Sequence, residues 1–113
     1  MSSATASVVI GLAMVNRNLT GTLPSTLGRL SALQTMSFAG NTLITGPIPD
    51  AFGNLSALTS LDMHTASLIG TIPPSVGNLS RLISLDFSHN ALSGPIPDTI
   101  GYLVALGTLQ LSR

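Results

Sequence analysis

The sequence predicts an α/β solenoid, a chain wound into stacked coils with a parallel β-sheet on one side and short helical turns on the other. Three observations carry this. Gly21, Gly46, Gly70 and Gly94 stand 25, 24 and 24 residues apart. Pro24, Pro49, Pro73 and Pro97 keep that step, as do Leu30, Leu55, Leu79 and Leu103. The whole stretch from Leu85 to Leu103 recurs upstream at Leu61 to Leu79, Met36 to Leu55 and Leu12 to Leu30. A fixed period in the twenties marks units that bury their apolar faces only by stacking on one another. Residues 1–113 are therefore read as one domain of four repeats, 24 to 25 residues each, plus a truncated fifth.

Each unit opens with an apolar-x-apolar triplet: Leu12-Ala13-Met14, Met36-Ser37-Phe38, Leu61-Asp62-Met63, Leu85-Asp86-Phe87 and Leu109-Gln110-Leu111. That alternation is the period of a half-buried strand. Connections of about twenty residues return each strand beside the last, so the strands pair in parallel. Asn41 and Asn90 follow the strand, where a carboxamide can satisfy backbone groups of the turn. Arg17 and Ala66 replace them in the first and third units, and the interruption at Ala66 is expected to weaken the middle of the stack. Leu19, Leu43, Leu68 and Leu92 are then expected to point inward, ahead of the marker glycine that permits a tight turn. The second unit holds one extra residue at Leu43-Ile44-Thr45-Gly46, read as a local bulge. Segments such as Pro24-Ser25-Thr26-Leu27-Gly28 read as single helical turns started by proline, with Leu27, Phe52, Val76 and Ile100 facing the core.

Hydrophobic residues make up 44% of the chain but aromatics only 4%, so the core is aliphatic. Charged residues are 7%, against about a quarter in an ordinary domain. Four basic and four acidic side chains cancel, which excludes the clustered basic footprint that nucleic acid needs. Without cysteine there is neither a disulfide nor a thiolate metal site. The apolar run within Met1 to Val15 has two readings, first-repeat strand or signal-peptide core. No Lys or Arg precedes it, and Leu12, Met14, Leu19 and Gly21 fall in phase with Leu61, Met63, Leu68 and Gly70, which favours the strand. No run approaches the roughly 18 apolar residues of a membrane span, so membrane insertion is not expected.

The composite pattern L-x-L-x-x-N-x-L-x-G-x-I-P-x-x-[apolar]-G-x-L-x-x-L closely resembles the plant-type leucine-rich repeat, and the likeness covers nearly the whole chain. It implies a right-handed leucine-rich-repeat superhelix whose concave sheet docks proteins or peptides, as in the ectodomains of plant receptor-like kinases and receptor-like proteins. An extracellular or plasma-membrane ectodomain setting, in signalling or defence, goes with it. The cysteine-bearing caps usual in such ectodomains are not found, and uncapped ends are expected to favour self-association. The resemblance extends equally to polygalacturonase-inhibiting proteins, secreted inhibitors of cell-wall-degrading enzymes. A truncated scaffold segment without an independent role is the structural alternative.

Outward strand positions stack into columns about 4.8 Å apart. One reads Ala13, Ser37, Asp62, Asp86, Gln110; the next Val15, Ala39, His64, Ser88, Ser112; a third Asn16, Gly40, Thr65, His89, Arg113. Asp62, His64, Asp86 and His89 are thus expected on one patch of the concave face. Carboxylates beside imidazoles are raw material for acid–base chemistry. No nucleophile or oxyanion device accompanies them, so neither a catalytic, a metal nor a cofactor site is assigned and the chain is read as a non-enzyme. The expected partner face is Asp62, His64, Thr65, Asp86, Ser88, His89 and Gln110. Three N-x-[ST] sequons, at Asn18, Asn54 and Asn78, offer glycan attachment in a secretory setting.

Overall fold

The computed structural model describes residues 8–112; Met1 to Ser7, and the Arg113 placed in the third column, lie outside the described residues. The chain runs β1 (Gly11–Ala13), β2 (Thr20–Thr22), β3 (Thr35–Ser37), β4 (Leu43–Gly46), β5 (Ser60–Asp62), β6 (Ser67–Gly70), β7 (Ser84–Asp86), β8 (Ala91–Leu92) and β9 (Thr108–Gln110). A five-residue 3₁₀ turn follows each even-numbered strand: Ser25–Arg29, Asp50–Asn54, Pro74–Asn78 and Asp98–Tyr102. The odd strands form one five-stranded parallel sheet in the order β1-β3-β5-β7-β9, so the first apolar run supplies an edge strand. The fold is a right-handed leucine-rich-repeat solenoid.

Each strand starts one residue ahead of its apolar triplet. The reason lies in the ladder, where the Ile10 carbonyl accepts both the Gln34 and the Thr35 N–H, at 2.7 and 3.2 Å. The same fork recurs from Gln34 to Thr59 and Ser60, and from Thr59 to Ile83 and Ser84. Met36, Leu61 and Leu85 at the strand centres, and Phe38, Met63 and Phe87 just beyond, point into the core. Phe52 and Val76 meet them from the 3₁₀ turns and are fully enclosed, whereas Leu27 and Ile100 in the outer coils are only partly covered. Truncating an enclosed leucine such as Leu61 to alanine is expected to cost about 2–5 kcal/mol.

The segment before each marker glycine is a second parallel sheet, β2-β4-β6-β8, where the sequence suggested only a turn. Its strands are staggered by two residues, so each marker glycine pairs with the inward aliphatic of the next coil: Gly21 with Ile44, Gly46 with Leu68, Gly70 with Leu92. These glycines hold φ between +80° and +94°, a region closed to most side chains. Ile44, not Leu43, takes the inward place in the second coil. Leu43 is 56% exposed and Ile44 4%. The extra residue sits between Asn41 and Ile44, and it pushes Leu43 onto the outer surface.

Asn41 is fully buried and binds the coil before it. Its Oδ1 accepts the Arg17 and Leu19 N–H groups at 2.9 and 3.1 Å, while its Nδ2 donates to the Met14 and Phe38 carbonyls, both at 2.7 Å. Asn90 repeats this one coil pair later, accepting from the Leu68 N–H at 3.0 Å and donating to Met63 and Phe87 at 2.8 and 3.1 Å. Ala66 should serve the second coil in the same way. There the Ile44 N–H donates instead to the Asn41 carbonyl of its own turn at 3.0 Å. The inserted residue closes that turn locally, so the missing carboxamide leaves less undone than the sequence suggested.

Candidate binding face

The register places Ala13, Ser37, Asp62, Asp86 and Gln110 side by side across all five strands. A parallel column of Gly11, Thr35, Ser60, Ser84 and Thr108 lies two residues upstream on the same face. The apolar triplets alone do not reveal these hydroxyls, because each strand starts one residue ahead of its triplet. Together the columns form a polar strip of hydroxyls, carboxylates and one carboxamide. Its residues are exposed at Thr35, Thr108 and Gln110, and half-buried at Ser37, Ser60, Asp62, Ser84 and Asp86.

Backbone pairing continues past the strands, with N–H groups of Gly40, Thr65 and His89 donating to the carbonyls of His64, Ser88 and Ser112. The second predicted column therefore exists in the backbone but is not uniformly presented. Ala39 and Ser88 are 1% and 3% exposed, so Ser88 offers no free side chain to a partner. It is spent on Asp86, whose Oδ1 accepts both the Ser88 N–H at 2.9 Å and its hydroxyl at 2.5 Å. Asp62 Oδ1 likewise accepts the His64 N–H at 3.1 Å.

The third column leaves the sheet. Asn16, Thr65 and His89 hold φ between +53° and +56°, with Gly40 at +76°, in the left-handed turn that leads to the ladder asparagine. Thr65 is the strained member, because a β-branched residue is a genuine outlier there. Its Oγ1 lies 3.0 Å from His64 Nδ1, and His64 Nε2 lies 3.7 Å from Asp62 Oδ2. With side chains 40% and 35% exposed, that pair contributes at most about 1 kcal/mol. Potential ligating atoms of Asp62, His64 and Asp86 lie within 4.8 Å of one another, and His89 stands apart from this group. The expected patch of four ionisable residues is thus a group of three, with His89 exposed on the neighbouring turn.

On the far side, Asn54 and Asn78 close their 3₁₀ turns and are exposed, as is Asn18 beside β2. A cavity of about 210 Å³ is lined chiefly by Ile72, Phe87, Leu92, Ile96 and Leu111, and among the described residues no ionisable side chain lines it. Among the described residues no helix is long and apolar enough to cross a membrane.

The Leucine Rich Repeat family matches residues 32–55 and 81–103. No curated protein matches the chain. Among solved structures, the chain is similar to the leucine-rich-repeat ectodomain of the Arabidopsis thaliana membrane receptor kinase GASSHO1/SCHENGEN3, solved with CASPARIAN STRIP INTEGRITY FACTOR 2. The identity is 39% over 82% of this chain and 11% of that one, with a TM-score of 0.78. The Arabidopsis receptor kinase HAESA, in complex with the peptide hormone IDA and the co-receptor SERK1, is 28% identical over 95% of this chain and 22% of that one, at a TM-score of 0.73. A plant ice-binding protein is 34% identical over 95% of this chain and 34% of that one, at 0.81. The chain thus spans about a tenth to a third of these relatives. Its period, its asparagine-bonded coils and these likenesses identify it as a plant-type leucine-rich-repeat protein.

Proposed function

We propose that the chain is a non-catalytic recognition module that binds a protein or peptide ligand on its concave sheet, in the manner of a plant receptor-like ectodomain. The observation that carries this is the polar strip itself. Parallel strands about 4.8 Å apart present Thr35, Ser60, Ser84 and Thr108 beside Ser37, Asp62, Asp86 and Gln110. Such a strip offers hydrogen-bond donors and acceptors at a regular spacing to an extended backbone. Asp62 and Asp86 add acceptors for a basic or amide-rich segment. The ligand-bound states of the GASSHO1/SCHENGEN3 and HAESA ectodomains support the reading.

The partner face we assign is Asp62, His64, Thr65, Asp86 and Gln110 with the hydroxyl column, His89 contributing from its turn. The same likeness supports an extracellular setting, in which glycans on Asn54 and Asn78 would occupy the convex side and leave the sheet free. The test is selection of peptides from a display library, followed by binding to wild type and to Asp62→Ala/His64→Ala/Asp86→Ala. Loss of about tenfold or more in the variant supports the reading, since truncated interface anchors cost 1 kcal/mol and upward. Undiminished binding overturns it.

A second reading, contact with ice, is favoured by one observation besides the ice-binding neighbour. The second sheet carries the short hydroxyls Thr22, Thr45 and Ser67 in register, the first two exposed, on a chain with only 7% charged residues. Incorporation of the chain into growing ice, abolished by Thr22→Lys/Thr45→Lys, would establish it, and exclusion from ice would remove it.

A further inference from the structure

Asp62 and Asp86 are paired directly across β5 and β7. Like charges in that position are destabilising, and among the described residues neither carboxylate has a Lys or Arg partner within ion-pair range. The surrounding hydrogen bonds leave a converging set of lone pairs. Each Oδ1 is engaged, that of Asp62 by the His64 N–H and that of Asp86 by the Ser88 N–H and hydroxyl, while the other carboxylate oxygens accept no hydrogen bond from the described residues. The His64 tautomer that donates Nδ1–H to Thr65 Oγ1, 3.0 Å away, keeps its lone pair on Nε2, the nitrogen nearest Asp62. Metal-binding imidazoles are oriented by this kind of outer partner.

We propose that Asp62, His64 and Asp86 form a divalent metal site on the concave sheet, taking Zn²⁺ or a similar borderline cation. The three ligating atoms lie within 4.8 Å of one another. A tetrahedral ion with bonds of about 2.1 Å spaces its ligands about 3.4 Å apart, a change that rotation of half-exposed side chains accommodates. One imidazole nitrogen with two carboxylates suits zinc, whereas an all-oxygen set would suit Mg²⁺ or Ca²⁺. The two carboxylates balance the charge of the ion and lose their mutual repulsion. Three protein ligands leave a coordination position open toward the concave surface, as in zinc sites that bind a further oxygen donor.

The experiment is calorimetric titration of the full chain with ZnCl₂ alone, so its outcome is independent of the partner reading. Wild type is expected to bind one saturable equivalent that Mg²⁺ and Ca²⁺ do not displace. Asp62→Asn and His64→Ala each lower affinity by about tenfold or more, and Ser88→Ala lowers it by about tenfold through loss of the hydroxyl on Asp86. His89→Ala binds as wild type. Asp62→Asn keeps the acceptor for the His64 N–H, and a zinc-free melting temperature no lower than that of wild type shows that it folds. No saturable binding by wild type overturns the proposal. So does wild-type affinity in His64→Ala, or a loss confined to His89→Ala.

Discussion

The Ile44 N–H donates to the Asn41 carbonyl at 3.0 Å, whereas the equivalent N–H groups of Leu19 and Leu68 donate to the carboxamides of Asn41 and Asn90 in the following coil. Two irregularities of the sequence, the extra residue of the second coil and Ala66 in the third, are therefore one feature. The insertion provides locally what the missing asparagine would provide from the next coil.

Ala66→Asn alone is consequently expected to change stability by less than about 0.5 kcal/mol, since the Ile44 N–H it would serve is partnered already. Deleting Thr42 should cost about 1–3 kcal/mol by exposing the want of a partner for the Ile44 N–H. Adding Ala66→Asn to the deletion should restore part of that. Denaturant melts of the four proteins measure the coupling, and strict additivity would contradict the link.

Asn90→Ala should be far worse than any change at Ala66. It strips the Leu68 N–H and Met63 carbonyl of partners between two packed coils, at about 1–3 kcal/mol for each group left buried and unpaired. A loss below about 1 kcal/mol in urea melts would show that water replaces the carboxamide.

The convex turns give a contrast within one repeat position. A Cβ on Gly53 would lie 2.5 Å from the Ser75 carbonyl oxygen of the next coil, whereas one on Gly101 would meet nothing within 4 Å. Gly53→Ala must push two coils apart and should cost about 1–3 kcal/mol, as overpacking does. Gly101→Ala should be neutral, or stabilising by up to about 1 kcal/mol through a less flexible unfolded chain. Equal melting temperatures for the two variants would argue against the close stacking.

Thr65 holds φ at +56°, and Asn16 holds +53° at the same position of the first coil. Asparagine tolerates that region and a β-branched residue does not. Thr65→Asn is expected to stabilise by about 1 kcal/mol, the lower end of such strain. A fall in the denaturation midpoint would mean that the Thr65 hydroxyl beside His64 matters more than the backbone.

The coil period, the inward columns and the Asp62–Asp86 register were all legible, because they follow from a repeat whose apolar and glycine positions leave little freedom. The second sheet was not. Its strands contribute at most one inward residue each and are staggered by two, so they carry no alternation of their own. Leu43 misled because insertion and inward leucine occupy adjacent positions, and only packing decides between Leu43 and Ile44. Ser88 looked available by alternation alone, but the bond to Asp86 draws it under the surface. The Thr35–Ser60–Ser84–Thr108 column was hidden by the forked bonds that start each strand one residue early.

Amide chemical-shift mapping, with a peptide selected for binding titrated into the labelled chain, tests whether the concave strip binds the ligand. The expected result is that the shifts concentrate at Thr35–Ser37, Ser60–Asp62, Ser84–Asp86 and Thr108–Gln110, with His64 and Thr65 alongside. Shifts confined to the second sheet or to the 3₁₀ turns, with those strands unmoved, would contradict it.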